Sequence, residues 1–323
     1  MTIVEKGQKH ASGPRGTAVD MSTSLGAVEL PSPVLTASGC SAFGRELEPF
    51  TDLTAIGAVV TKSVQLRPRS GRPTPRMAET PSGMLNSIGL QGPGIDGLLS
   101  GELPWLAERG VRALVSIAGT RVEDFAELAS RLRGVPGVAG LEVNISCPNV
   151  ESRGEVFACD PVAASDVVAA VRAAADPAQP VYAKLSPDVT DIVSVARAVS
   201  DAGADGLSMI NTLLGLVIDP DTMKPLLGGV TGGLSGPAIR PVALRCVWQV
   251  HQALPEVPIL GMGGIRTGLD ALQFVLAGAS AVSVGTAVFN DPSALGRIHA
   301  ELAAALEARG FAGLREAVGY AHR

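Results

Sequence analysis

Short runs rich in β-branched and aliphatic residues alternate with Ala/Leu helical patterns through most of the chain, and their number constrains the fold more than any other feature. Eight are present, at 33–36, 58–61, 113–117, 140–145, 181–185, 206–210, 259–261 and 281–284. Strands separated by helical segments pair in parallel and are covered on both faces. Eight such units predict a closed (β/α)8 TIM barrel of the α/β class; a doubly wound open sheet is the alternative, because alternation by itself does not separate open from closed sheets. A chain of 323 residues exceeds the roughly 250 of a typical barrel and leaves room for insertions. The gaps from about Lys62 to Arg112 and from Asn211 to Pro258 are too long for one helix, and both begin at the carboxyl end of a strand, where they would roof the active-site face.

Local signals divide the rest. Asp160-Pro161 and Asp291-Pro292 read as an N-cap acid followed by a first-turn proline, and Asn290 reads as a helix-start residue. Residues 1–18, polar and glycine-containing, read as a flexible tail before one catalytic domain at 19–323. The start lacks the apolar core of a targeting segment and no later stretch is long enough to cross a bilayer, so a cytoplasmic protein is expected. A net charge of −5 with dispersed basic residues gives no footprint for nucleic acid. The four cysteines, Cys40, Cys147, Cys159 and Cys246, form no C-x-x-C pair, so neither a zinc site nor an iron–sulfur cluster is encoded locally.

Scarce residue types mark one face of the barrel. The chain has 5 lysines against 21 arginines, yet Lys62 and Lys184 each end a predicted strand. Four of the 5 asparagines, Asn86, Asn144, Asn149 and Asn211, fall in or beside loops at that end. Strand ends of a barrel converge on one pocket, so two ammonium groups and several amides would meet one ligand, which suits an anionic heterocycle with amide edges. The segments GMGGIRTG (261–268) and SVGTAVF (283–289) follow strands seven and eight, where Gly263, Gly264, Gly285 and Thr286 would cradle a phosphate; tight turns between packed elements are the plainer reading of the same glycines. The run Glu142-Val-Asn-Ile-Ser-Cys147-Pro-Asn149 ends strand four and puts a cysteine at the pocket. His10, His251, His299 and His322 lie in the tail or in helical stretches, so a Cys–His nucleophile pair is not expected and Cys147 would accept a proton instead. The loop from Asn149 to Cys159, which carries Gly154, would serve as a lid over a ligand.

These motifs resemble the class 1 dihydroorotate dehydrogenases from about Val19 onward: TASG (36–39), TKS (61–63), NSIGLQ (86–91), NISCPN (144–149), INT (210–212), GGLSGPAI (232–239), GMGGI and VGTA occur in the family's order. The resemblance implies a soluble flavoenzyme of pyrimidine (UMP) biosynthesis that oxidises (S)-dihydroorotate to orotate, with Cys147 taking the C5 proton while hydride leaves C6 for FMN. It implies substrate contacts from Lys62, Asn86, Ser87, Ile88, Gly89 and Leu90, and from Asn144, Asn149, Asn211 and Thr212. FMN would be held by Ser38, Gly39, Lys62, Ser63, Ser116 and Asn144, and by Lys184, Ile210, Gly236, Gly263, Gly264, Gly285 and Thr286. Lys184 would stabilise negative charge on the reduced flavin. The stretch NVESRGEVFACDP resembles the NAD-linked subtype, which implies a homodimer, or a heterotetramer with a separate subunit carrying FAD and a 2Fe-2S cluster. One departure is Ser116 in VSIAG, where the family often has Asn. The competing expectations are an FMN barrel acting on another pyrimidine, a Schiff-base aldolase using Lys184 or Lys62, and a ligand-binding barrel without catalysis.

Overall fold

In the computed structural model the eight runs pair into one parallel sheet. The structure describes residues 19–146 and 159–323; the expected tail at 1–18, Cys147, Asn149 and all of the expected lid but Cys159 lie outside the described residues. The strands are β1 (Val34–Thr36), β2 (Val59–Val60), β3 (Ala113–Ile117), β4 (Val138–Asn144), β5 (Val181–Leu185), β6 (Gly206–Met209), β7 (Ile259–Met262) and β8 (Ala281–Val284). Their spatial order is β1-β8-β7-β6-β5-β4-β3-β2, every described ladder parallel. The ends of that order meet: Gly57 N–H donates to Val34 O at 2.9 Å and Thr36 N–H to Ala58 O at 3.3 Å. The Thr36 hydroxyl completes the seam by accepting from Val60 N–H at 2.8 Å. The sheet is therefore a barrel, and the doubly wound alternative falls because it would leave two free edges.

Helices α1 (Leu103–Glu108), α2 (Val122–Arg131), α3 (Pro161–Ala174), α4 (Ile192–Asp201), α5 (Arg240–Ala253), α6 (Gly268–Leu276) and α7 (Ala294–Glu307) surround it. Outward strand residues such as Val34, Val115, Val143 and Val282 are fully buried beneath them. The Asp160 carboxylate caps α3 by accepting from Val162 N–H at 2.8 Å, as its position before Pro161 predicts. The expected cap at Asp291 is corrected, since α7 begins two residues later with Ser293 at the cap position. Asp291 instead accepts from the Ser293 N–H at 3.0 Å and its hydroxyl at 2.6 Å, a side-chain turn that competes with capping. Asn290 likewise ends the short helix Ala287–Asn290 and does not open one.

Two features close the ends. At the amino-terminal end a hairpin, Thr23–Leu25 with Val28–Leu30, packs Leu25 and Leu30 against Leu35, Val60, Leu114 and Leu260 of the interior. Tyr182 ties it down by donating to Leu25 O at 2.6 Å. At the other end the two long insertions pair with each other in an antiparallel sheet of order Leu213–Gly215, Gly232–Ser235, Gly83–Asn86, Met77–Thr80, which roofs the barrel.

Candidate active site

Strand residues point alternately in and out of a barrel, so the side chains facing the interior near the carboxyl ends are fixed by register. Pairing sets Ser116 beside Glu142, Asn144 beside Lys184, and Lys184 beside Ser208. Of these, Asn144 and Lys184 reach two adjoining clefts under the roof sheet, with volumes of about 140 Å³ and 80 Å³, while Ser116, Glu142 and Ser208 lie beneath them.

The smaller cleft runs along the ends of β7 and β8. Ile210, Gly236, Gly263, Gly264, Gly285 and Thr286 line it, and Lys184 reaches it from β5. Gly236, Gly263 and Gly264 have φ of 92°, 132° and 77°, a region that side chains disfavour. A Cβ on Gly264 would sit 2.7 Å from Gly236 O and 2.9 Å from Arg240 Cβ, so the backbone here approaches more closely than any side chain permits. Behind it Thr267 and Asp270 cap α6 reciprocally: the Thr267 hydroxyl accepts from Asp270 N–H at 3.2 Å, and the Asp270 carboxylate accepts from Thr267 N–H at 3.1 Å. The cradle is thus rigid, and its glycine backbone suits a phosphate.

The larger cleft joins the first through Ser38, Lys184, Asn211 and Thr212. Its wall adds Lys62, Gly39, Ser63 and Asn144 from strand ends, and Asn86, Ile88, Gly89 and Leu90 from the roof. Gly89 and Leu90, with φ of 76° and 55°, turn the roof segment down over the barrel. The amides are fixed by one network. Asn144 donates to Ser63 Oγ at 2.9 Å, Asn211 donates to Ser146 Oγ at 2.7 Å, and Asn211 Oδ1 accepts from Thr212 N–H at 2.8 Å. Asn86 donates to Gly233 O at 3.2 Å across the roof. Gly233 is required there, because a Cβ would fall 2.0 Å from Thr212 Oγ1.

Two expected contacts are placed elsewhere. Ser116 is fully buried and lines neither cleft; its hydroxyl pairs with that of Ser63 at 2.9 Å, below the wall. Ser87 is also fully buried and accepts from Arg72 at 3.2 Å, on the far side from Asn86 and Ile88.

Three wall or floor groups carry no expected role. Ser235, inside the GGLSGPAI run, accepts from the Thr286 hydroxyl at 2.7 Å and closes the cradle between roof and barrel. Cys40 borders both clefts, and burial pushes its thiol up to about 11 against the opposing pull of Lys184 and Lys62. Glu142 lies beneath the wall with its carboxylate 3.5 Å from Lys184 Nζ. Its position two residues before Asn144 on one strand was the available signal, since such residues share a face.

The chain matches the family model for dihydroorotate dehydrogenase over residues 20–306. It is 54% identical over 300 residues to the dihydroorotate dehydrogenase B (NAD(+)) catalytic subunit of Pelobacter propionicus, covering 93% of this chain and 98% of that protein. The protein of the same name from Desulforudis audaxviator is 52% identical over 305 residues, covering 94% and 98% respectively. Among solved structures, a DHODH from Eimeria tenella in complex with ferulenol superposes with a TM-score of 0.80 at 23% identity, over 94% of this chain and 89% of that one, a likeness of fold.

Proposed function

The chain belongs to the dihydroorotate dehydrogenase family, and from that premise we propose that it oxidises (S)-dihydroorotate to orotate in the de novo synthesis of pyrimidines, with residues 19–323 as the catalytic unit. The observation that carries the reading is the convergence of Lys62, Lys184, Asn86, Asn144 and Asn211 on a cleft that opens into a glycine cradle. Lysine charge suits the substrate carboxylate, and amides that both donate and accept suit the ring's imide edge. The relatives carry dehydrogenase names, which does not favour the aldolase, the other-pyrimidine or the non-catalytic reading.

FMN, when bound, supplies the hydride acceptor. The cradle fits its phosphate, because at Gly264 even a methyl group would displace backbone. Gly236, Gly263, Gly264, Gly285 and Thr286 hold that end, and Ser38, Gly39, Lys62, Ser63, Asn144, Lys184 and Ile210 hold the rest. Ser116 acts through Ser63, which it orients. Asn211 and Thr212, with Asn149 from outside the described residues, position the substrate beside Asn86, Ile88, Gly89 and Leu90; Ser87 supports that segment from behind. Cys147, next to Ser146 at the end of β4, accepts the C5 proton.

The relatives are named as catalytic subunits and as NAD(+) enzymes. Among the described residues no group of three or more His, Cys, Asp and Glu side chains is placed to hold a metal. On those names we propose that electrons leave through a separate subunit carrying FAD and a 2Fe-2S cluster, in a heterotetramer built on a homodimer of this chain. Among the described residues no helix is long and apolar enough to cross a membrane; the cytoplasm is proposed as its place of work.

The test is to purify the chain, record its visible spectrum and add dihydroorotate without oxygen. Bleaching of a flavin band is the expected result. A yellow protein that stays yellow would move the substrate to another compound, and a colourless one that ignores added FMN would overturn the reading.

A further inference from the structure

The mechanism above makes no use of Glu142, which is the most enclosed charged group beside the site. It is fully buried, and neither carboxylate oxygen has a hydrogen-bond partner among the described residues. Its one described ion-pair partner is Lys184, at 3.5 Å, with the lysine side chain 6% exposed. Lys184 borders both clefts and Glu142 borders neither. On β4, Glu142 faces inward one layer deeper than Asn144, and in register it stands beside Ser116 and Tyr182. The barrel interior therefore holds an ammonium at the cleft floor with a carboxylate directly behind it.

Removing a carboxylate from water without hydrogen bonds is unfavourable, and a pair of this kind contributes little to stability compared with an apolar pair of the same shape. Its effect is felt instead through its partner, because the attraction between two charges in a dry interior is strong enough to govern where the ammonium stands relative to the cleft. We propose that Glu142 is a positioning residue acting through Lys184: it offsets the ammonium charge and so limits how strongly the site prefers reduced over oxidised FMN. The proposal rests on the FMN reading above. Gain of a hydride, two electrons and one proton, adds a negative charge to the cofactor. A lone ammonium beside it would hold that charge tightly, whereas an ammonium paired with a carboxylate holds it less. Such tempering suits a site that takes electrons from one compound and must release them to another.

The test uses the full chain with FMN bound, as wild type, Glu142→Gln, Lys184→Met and the double variant. The midpoint potential is measured at neutral pH against a reference dye, with oxidised FMN affinity measured separately by fluorescence. Glu142→Gln is expected to favour reduced over oxidised FMN by on the order of tenfold, an upward shift of about 30 mV for a two-electron couple. In the Lys184→Met background the same substitution is expected to leave the potential unchanged, since the effect runs through the lysine. A wild-type potential in Glu142→Gln, or an equal rise with and without Lys184, would overturn the proposal. Should Glu142→Gln fail to fold, the double variant, which removes both charges, is compared with Lys184→Met; equal potentials support the proposal and unequal ones sink it. A wild-type chain that binds no FMN overturns the underlying reading as well. One that binds FMN and is bleached by dihydroorotate keeps that reading, whatever the variants do.

Discussion

The two ends of the barrel interior come from the same strands and differ by one step of the pleat. Leu114, Gly140, Tyr182, Gly206 and Ala281 face inward toward the amino-terminal end; two residues on, Ser116, Glu142, Lys184, Ser208 and Ser283 occupy the next layer. Below that boundary the interior is apolar and stoppered by the Thr23–Leu30 hairpin. Above it the interior is polar and leads up to the clefts: Ser116 and Asn144 are hydrogen-bonded to Ser63, whereas Glu142, Ser208 and Ser283 have no hydrogen-bond partner among the described residues. Burying apolar surface supplies stability without direction, whereas buried polar groups cost stability and fix geometry. The barrel thus separates the two tasks along its axis, and substitutions at the two ends should fail in different ways.

The largest effect is expected at the polar end. Cys147→Ala should lower kcat by roughly two to four powers of ten, the usual contribution of a general base, while the FMN spectrum and the melting temperature stay near wild type. Stopped-flow reduction by dihydroorotate reads the first and thermal unfolding the second. Full-speed reduction would remove Cys147 from the mechanism. At the apolar end the pattern should invert. Tyr182→Ala removes a fully buried ring and is expected to cost about 3–5 kcal/mol of stability, with Tyr182→Phe costing about 1–3 kcal/mol because Leu25 O loses its donor. Urea midpoints measure both. The KM for dihydroorotate should not move, and a large change in it would show that the two ends are coupled.

This division was only partly legible in the sequence. The eight strands could be placed because their outward positions are aliphatic and punctuated by helix caps, and the positions of Lys62, Lys184 and the asparagines at strand ends placed the site. The hairpin was missed: TSLGAVEL is short and precedes the first barrel strand, although Gly26, with φ of 61°, supplies the turn that joins its strands. The roof sheet pairs Asn86 with Gly233, segments far apart in the chain that no local pattern links. The resemblance put Ser116 at the FMN in place of the family's usual Asn, but the shorter serine pairs with Ser63 beneath the wall. Ser87 follows from the same pleat that exposes Asn86 and Ile88, since consecutive residues alternate in direction. Asp291 failed as a cap because its carboxylate accepts from the backbone and hydroxyl of Ser293, which stands at the cap position without a side-chain capping bond of its own.

The smallest effect concerns pH and tests whether the cleft wall at Cys40 is as dry as its raised thiol implies. Cys40, Cys246 and Tyr182 are all raised above their ordinary values, in each case chiefly by burial. An unhindered thiol titrates near 9.0, whereas Cys40 holds its proton to about 11. Between those values the unfolded chain gives up protons that the folded chain keeps, so ionisation favours unfolding and stability should fall as pH rises through this window. Below pH 9 the contribution is fully present, because both states keep the thiol protonated. Urea midpoints taken from pH 8 to pH 10.5 should show the decline, and Cys40→Ala should flatten part of it. A slope that Cys40→Ala leaves unchanged would mean that the thiol at the cleft wall is hydrated.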